Sequence, residues 1–407
     1  MQTPVVVDPI SKNGFTRRNF FKIAAGASAL ASMPILSEFQ LAAAQRPNFA
    51  DPNRGIHIDA NENPLGPSEA ARKAVAEMIP RGGRYLMPYQ DELVQIFAKQ
   101  EGLDPETVIA YPGSSEPLHY TVLAFTSKER GLVLADPGYE APIWAAMTTA
   151  APVYKIPLAD PDGRATHDVK AMLAATANPG VIYICNPNNP TGTTTSRADI
   201  EYVVNNAPKG TIVLIDEAYI HLSDATPSLD FVKAGRNVVV LRTFSKLYGM
   251  AGLRLGLVIG RPDLVKKLSA LGGFSTLPIT AMAAGKASLL DAELVPTRKK
   301  IIGDVRRETL AWLKSEGYSF TPSESNCFML NVRRPNTQVI AALAAKEIFV
   351  GRPWPAWPQH VRITVGTPEE MLAFRKAFKE VMSQSTAHFD PLPINRRQMD
   401  YPYSQLV

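Results

Sequence analysis

A series of short, uninterrupted apolar runs constrains this chain most: residues 131–137 (GLVLADP), 180–187 (GVIYICNP), 211–218 (TIVLIDEA), 238–245 (VVVLRTFS) and 255–260 (LGLVIG). Each has the length of one strand and lacks the polar alternation of a sheet with a wet face. Such runs read as parallel strands buried on both sides, with helices covering the sheet, an α/β architecture. The intervening segments agree, since Leu93, Ile96 and Phe97 recur at helical spacing within 91–99. In open sheets of this kind ligands bind at the carboxyl ends of the strands. The polar strings discussed below all lie at those ends.

With 407 residues, 45% hydrophobic and 20% charged, the chain can bury one large or two medium domains. Its net charge of +5 is dispersed along the chain, which argues against a phosphate-tracking groove and hence against nucleic acid as a partner. The two cysteines, Cys185 and Cys327, sit in apolar strand-like runs and read as buried free thiols, although sequence does not decide whether they pair.

The first residues read as an address label. Arg17 and Arg18 precede Phe20 and Phe21, a modestly apolar stretch runs from Ile23 to Leu36, and Ala42-Ala43-Ala44 offers a small-residue cleavage site. The apolar stretch is shorter than the roughly 20 residues of a spanning helix. The expectation is a twin-arginine signal peptide over 1–44, with the twin-arginine export machinery as a partner. The mature protein would be periplasmic or secreted, with no stable membrane insertion after cleavage. An amphipathic amino-terminal helix is the alternative.

The mature chain divides into an extended arm and first helix (45–80), a large domain (81–293), a smaller α+β domain (294–382) and a tail (383–407). The helix of the arm opens at Pro67-Ser68-Glu69. The smaller domain carries helical patterns over 298–315 and 369–382, with strands around 325–332, 349–351 and 360–365.

Four strings carry chemistry. Gly113-Ser114-Ser115-Glu116 stands before an apolar-periodic segment and offers a phosphate hydroxyls and backbone N–H groups, though it also reads as a plain helix cap. Asn186 to Gly192 (NPNNPTG) is a stiff loop able to hold an amide toward a ligand. Asp216 ends an apolar strand and needs a cation or hydrogen-bond donors to stay ionised, a role that a protonated pyridine nitrogen fills. Lys246, in Thr243 to Gly249, could form a Schiff base with an aldehyde, with Ser245 and Arg254 holding a phosphate beside it.

Together with Ile58 to Ser68 (IDANENPLGPS), Arg84-Tyr85, Asp136 to Tyr139 (DPGY) and Arg362 to Glu370 (RITVGTPEE), these strings resemble the fold-type I pyridoxal 5'-phosphate aminotransferases of class I/II. The similarity is greatest to the histidinol-phosphate aminotransferase family and covers roughly residues 56–382. It implies a large domain with a mostly parallel sheet flanked by helices, plus a smaller α+β domain. It also implies pyridoxal 5'-phosphate as cofactor, no metal, and a homodimer in which Tyr85 reaches a partner's site. Residue by residue, Lys246 would hold the coenzyme covalently and shuttle a proton, Asp216 would face the pyridine nitrogen, and Tyr219 and Asn189 would bind the ring oxygen. Tyr139 would stack on the ring, while Gly113, Ser114, Ser115, Ser245 and Arg254 would cradle the phosphate. Asn63, Arg362 and Arg352 would meet the substrate, Arg362 at its α-carboxylate and Arg352 at its distal end.

The sequence departs from the family at Ser115 and Pro117, and in the Trp- and Pro-rich segment 353–360, which reads either as a reshaped substrate pocket or as a stiff surface loop. Export also argues against a cytoplasmic substrate such as histidinol phosphate. The expected reaction moves an amino group from an amino acid, aromatic or broad in range, to a 2-oxo acid. A decarboxylase, racemase or cyclase using the same cofactor is the alternative, and a non-catalytic binding protein a more distant one.

Overall fold

The computed structural model describes residues 54–159, 163–272 and 276–383. The expected export signal, the start of the arm and all but the first residue of the tail lie outside the described residues. Among the described residues no helix is long and apolar enough to cross a membrane.

The chain enters through a short strand, β1 (Ile56–Ile58). A helix over Glu69–Met78 follows, begun by Ser68, whose hydroxyl accepts from the Ala71 N–H at 3.2 Å. That cap satisfies a donor the helix itself leaves unmet and contributes about 1 kcal/mol. Next come β2 (Val108–Tyr111), β3 (Gly131–Asp136), β4 (Val153–Pro157), β5 (Pro179–Cys185), β6 (Ile212–Asp216), β7 (Val238–Thr243) and β8 (Gly256–Gly260). They form one sheet in the order β2-β8-β7-β6-β5-β3-β4. Every residue of β5, β6, β7 and β8 is buried, as runs without polar alternation require.

The pairings from β7 through β6, β5 and β3 to β4 are parallel, as expected, but β8 runs antiparallel to both β7 and β2. The correction has a local cause. The segment 244–255 turns straight back instead of crossing over a helix, and only a crossover makes the next strand parallel. Burial on both faces shapes the composition of β8 in either direction, so its sequence does not encode its polarity. The reversal brings the start of β8 to the edge where β2, β3, β5, β6 and β7 end.

The carboxyl-terminal part contains β9 (Cys327–Asn331), β10 (Ile348–Val350) and β11 (His360–Thr364), with helices at Leu294–Ser315, Asn336–Ala344 and Pro368–Ser383. β9 pairs antiparallel with β11, whereas β10 pairs parallel with β1. The arm therefore supplies a strand to the carboxyl-terminal part, while its helix packs on Ile279–Leu290.

Candidate active site

The loops at the carboxyl ends of the parallel strands enclose a cavity of about 380 Å³, a size typical of small-molecule sites. Asp216 reaches it from the last position of β6, Asn189 from the loop after β5, and Tyr139 from the turn after β3. Ser245 and Lys246 enter from the turn after β7, and Arg254 from the chain just before β8. Ser114 and Ser115 stand at the start of the helix Ser115–Phe125, and Tyr219 follows β6.

At one end lies a buried carboxylate. Asp216 Oδ2 accepts from the Tyr183 hydroxyl at 2.9 Å, and Oδ1 from the Ala218 N–H at 3.1 Å. Burial pushes its pKa up to about 6, and these two bonds and the nearby Lys246 charge only partly offset the rise. A cation seated against this group would restore its ionised form.

The opposite end suits an anion. Arg254 Nη1 lies 3.5 Å from the Ser245 hydroxyl and donates to Ala251 O at 2.8 Å, while Nη2 donates to Pro112 O at 3.3 Å. Those acceptors are neutral, Arg254 makes no ion pair among the described residues, and burial lowers its pKa. Gly113 makes the arrangement possible, because a Cβ at this position would collide with Nη2 of Arg254, and the φ of 94° is itself one that side chains disfavour. The Ser114 hydroxyl makes no helix-capping bond.

Between the two ends Lys246 is buried, donates to Ala60 O at 3.3 Å and sits 5.7 Å from the centre of the Tyr219 ring. A lysine, a carboxylate on one side and an anion cradle on the other match the donor set of pyridoxal phosphate: aldehyde, ring nitrogen and phosphate.

Other expected residues stand apart. Tyr85 is 79% exposed and does not line the cavity of its own chain. Asn63 borders an adjoining cavity and donates to Leu247 O at 2.8 Å, tying the arm to the lysine loop. Arg362 is fully buried behind Asn189, donating to its Oδ1 at 2.9 Å and also to Asp59 O. Arg352 pairs with Glu140 and lies over Trp354, 4.1 Å from the ring centre. Trp354 is 1% exposed and also lies 5.0 Å from Arg362, so this part of the Trp- and Pro-rich segment is interior packing rather than surface.

Sequence reading missed three groups. Tyr183 and Cys185 share a face of β5 that ends at the cavity, and their period-two spacing with the NPNNPTG loop was the available signal. Both cysteines are buried thiols that are not joined in a disulfide. Asn61, in the arm, bonds to Tyr219 and Asn189, and no local pattern announces that.

Residues 53–378 match the family model "Aminotransferase class I and II". The chain is 33% identical to the histidinol-phosphate aminotransferase of Symbiobacterium thermophilum, over 81% of this chain and 91% of that protein. It is 37% identical to the aromatic amino acid aminotransferase of Nocardia farcinica, over 80% and 91%. The fold matches the solved histidinol-phosphate aminotransferase of Sinorhizobium meliloti in complex with pyridoxal-5'-phosphate, with a TM-score of 0.72, 23% identity and coverage of 81% and 91%. The chain thus belongs to the class I and II aminotransferases and is a pyridoxal-phosphate-dependent transaminase of fold type I.

Proposed function

We propose that this aminotransferase works as an exported homodimer on free amino acids with uncharged side chains, aromatic or broad in range. The observation that carries the donor reading is the Arg352–Glu140 pair. A guanidinium neutralised inside the fold and stacked on Trp354 offers little field to a distal phosphate or carboxylate. The likeness to an aromatic amino acid aminotransferase supports the same reading. Export rests on the twin-arginine pattern in the sequence. The homodimer rests on the exposure of Tyr85, which suits a side chain that completes a partner's site.

The bound coenzyme supplies an aldehyde that takes up amines and a pyridinium that draws electrons from the neighbouring carbon. Lys246 is assigned the aldehyde and, from its Nζ, the proton moved at the substrate α-carbon. Asp216 is assigned the ring nitrogen, whose proton its carboxylate holds. Tyr219 and Asn189 take the ring oxygen and Tyr139 the ring face. Gly113, Ser114, Ser115, Ser245 and Arg254 form the phosphate cradle. Arg362 is assigned the donor α-carboxylate, a group whose two oxygens suit a guanidinium fork.

Donor screening on the purified, coenzyme-loaded mature chain tests the reading. Phenylalanine or tyrosine should yield the matching 2-oxo acid with kcat/KM at least about tenfold above that of histidinol phosphate. A preference for the phosphorylated donor, or carbon dioxide in place of a 2-oxo acid, overturns it.

A further inference from the structure

Asn61 is fully buried in the arm just after β1, with its backbone in the left-handed region at φ 52°. Asparagine tolerates that conformation better than most residues. The orientation of its amide is settled by its neighbours. The Asn61 N–H donates to Thr364 Oγ1 at 3.0 Å, and that hydroxyl, now an acceptor, donates its hydrogen to Asn61 Oδ1 at 3.0 Å. The nitrogen end is therefore Nδ2, and it donates to the Tyr219 hydroxyl oxygen at 3.0 Å and lies 3.5 Å from Asn189 Oδ1. Asn326 Nδ2 donates to Asn61 O at 3.1 Å and fixes the backbone from the other side.

These bonds set the polarity of two side chains that line the cavity. A tyrosine hydroxyl has one hydrogen, and with its oxygen accepting from Asn61 that hydrogen is directed away from Asn61. Asn189 Oδ1 accepts from Arg362, so the amide N–H₂ of Asn189 is its other end. Both residues are thereby arranged as donors.

We propose that Asn61 is a positioning residue that holds Tyr219 as a hydrogen-bond donor to an anionic oxygen in the cavity, the ring oxygen of the coenzyme, beside the Asn189 amide that Arg362 orients. Asn61 itself does not line the cavity; it acts through Tyr219. The charged groups that do line it are Glu62, Asp216, Lys246 and Arg254, with Arg362 behind Asn189.

The test is a pH titration of the visible band of the coenzyme-loaded enzyme, whose midpoint reports how well the anionic ring oxygen is stabilised. Asn61→Gly removes the amide but accepts the left-handed backbone, and the backbone bonds to Thr364 and Asn326 do not require the side chain. Its midpoint should rise by about one pH unit, a tenfold change in proton affinity. Tyr219→Phe should raise the midpoint at least as far, and adding Asn61→Gly to it should produce no further shift, because the two act through one hydroxyl. Circular dichroism identifies a misfolded variant, for which Asn61→Asp is the substitute and should also raise the midpoint. An unchanged midpoint in a folded variant, or shifts that add in the double variant, overturns the inference and leaves the coenzyme assignment standing. A wild-type protein without any visible band refutes both.

Discussion

The Tyr183 hydroxyl donates to Asp216 Oδ2 at 2.9 Å from the neighbouring strand, within the parallel β5–β6 ladder that pairs Cys185 with Asp216. It is the one side-chain donor described at a carboxylate whose pKa burial raises to about 6. A hydrogen bond to the charged form favours ionisation, and one made to an ion contributes about 1.5–3 kcal/mol. Tyr183→Phe should raise the Asp216 pKa further and weaken coenzyme binding by about tenfold or more. Equilibrium titration of the coenzyme-free variant with pyridoxal phosphate checks this, and an unchanged affinity would contradict it.

In the coenzyme-free protein, Asp216 should make stability depend on pH. Its folded pKa of about 6 exceeds the value of about 3.9 in an unfolded chain, so the folded state binds the proton more tightly. The resulting stabilisation is fully present below about pH 4 and is lost as pH rises through about 6, on the order of 3 kcal/mol in all. Urea unfolding of wild type and Asp216→Asn from pH 4 to 8 isolates the effect, since other groups cancel in the difference. A difference that stays flat across that range would be inconsistent with the raised pKa.

Glu217 and Arg242 form an ion pair at 2.7 Å with side chains 1% and 3% exposed. Glu217 also accepts from the Ser228 N–H at 2.6 Å, and Arg242 lies 3.1 Å from His221 Nε2. Burial and the Arg242 charge hold His221 down to about 3, so at neutral pH the ring is uncharged and Nε2 accepts from the guanidinium. Glu217→Gln leaves that guanidinium buried without a counter-charge and should cost about 3–5 kcal/mol in urea unfolding.

Gly113→Ala should affect the phosphate end alone. The added methyl displaces the Arg254 guanidinium, so affinity for pyridoxal phosphate should fall by about 10–100-fold, in line with losing a charge-assisted contact. Affinity for pyridoxal, which lacks the phosphate, should change little. Equal losses for both ligands would mean that Arg254 does not serve the phosphate.

By itself the sequence determined five strands of the large sheet, β3 and β5 to β8, and the family. Buried strands need unbroken apolar runs, and the strings NPNNPTG and SKLYGMAGLRLG are local in the chain, so both are visible residue by residue. Tertiary structure decided the direction of β8, because burial on two faces selects composition and not polarity. It also decided which partners meet across long separations: β1 with β10, Tyr183 with Asp216, Glu140 with Arg352, and Asn61 with Tyr219. A strand of three residues has no period to read, and a lone Tyr, Glu or Asn carries no mark of its partner. Such contacts exist only once the sheet has brought its strand ends to one edge and the arm has folded back over them.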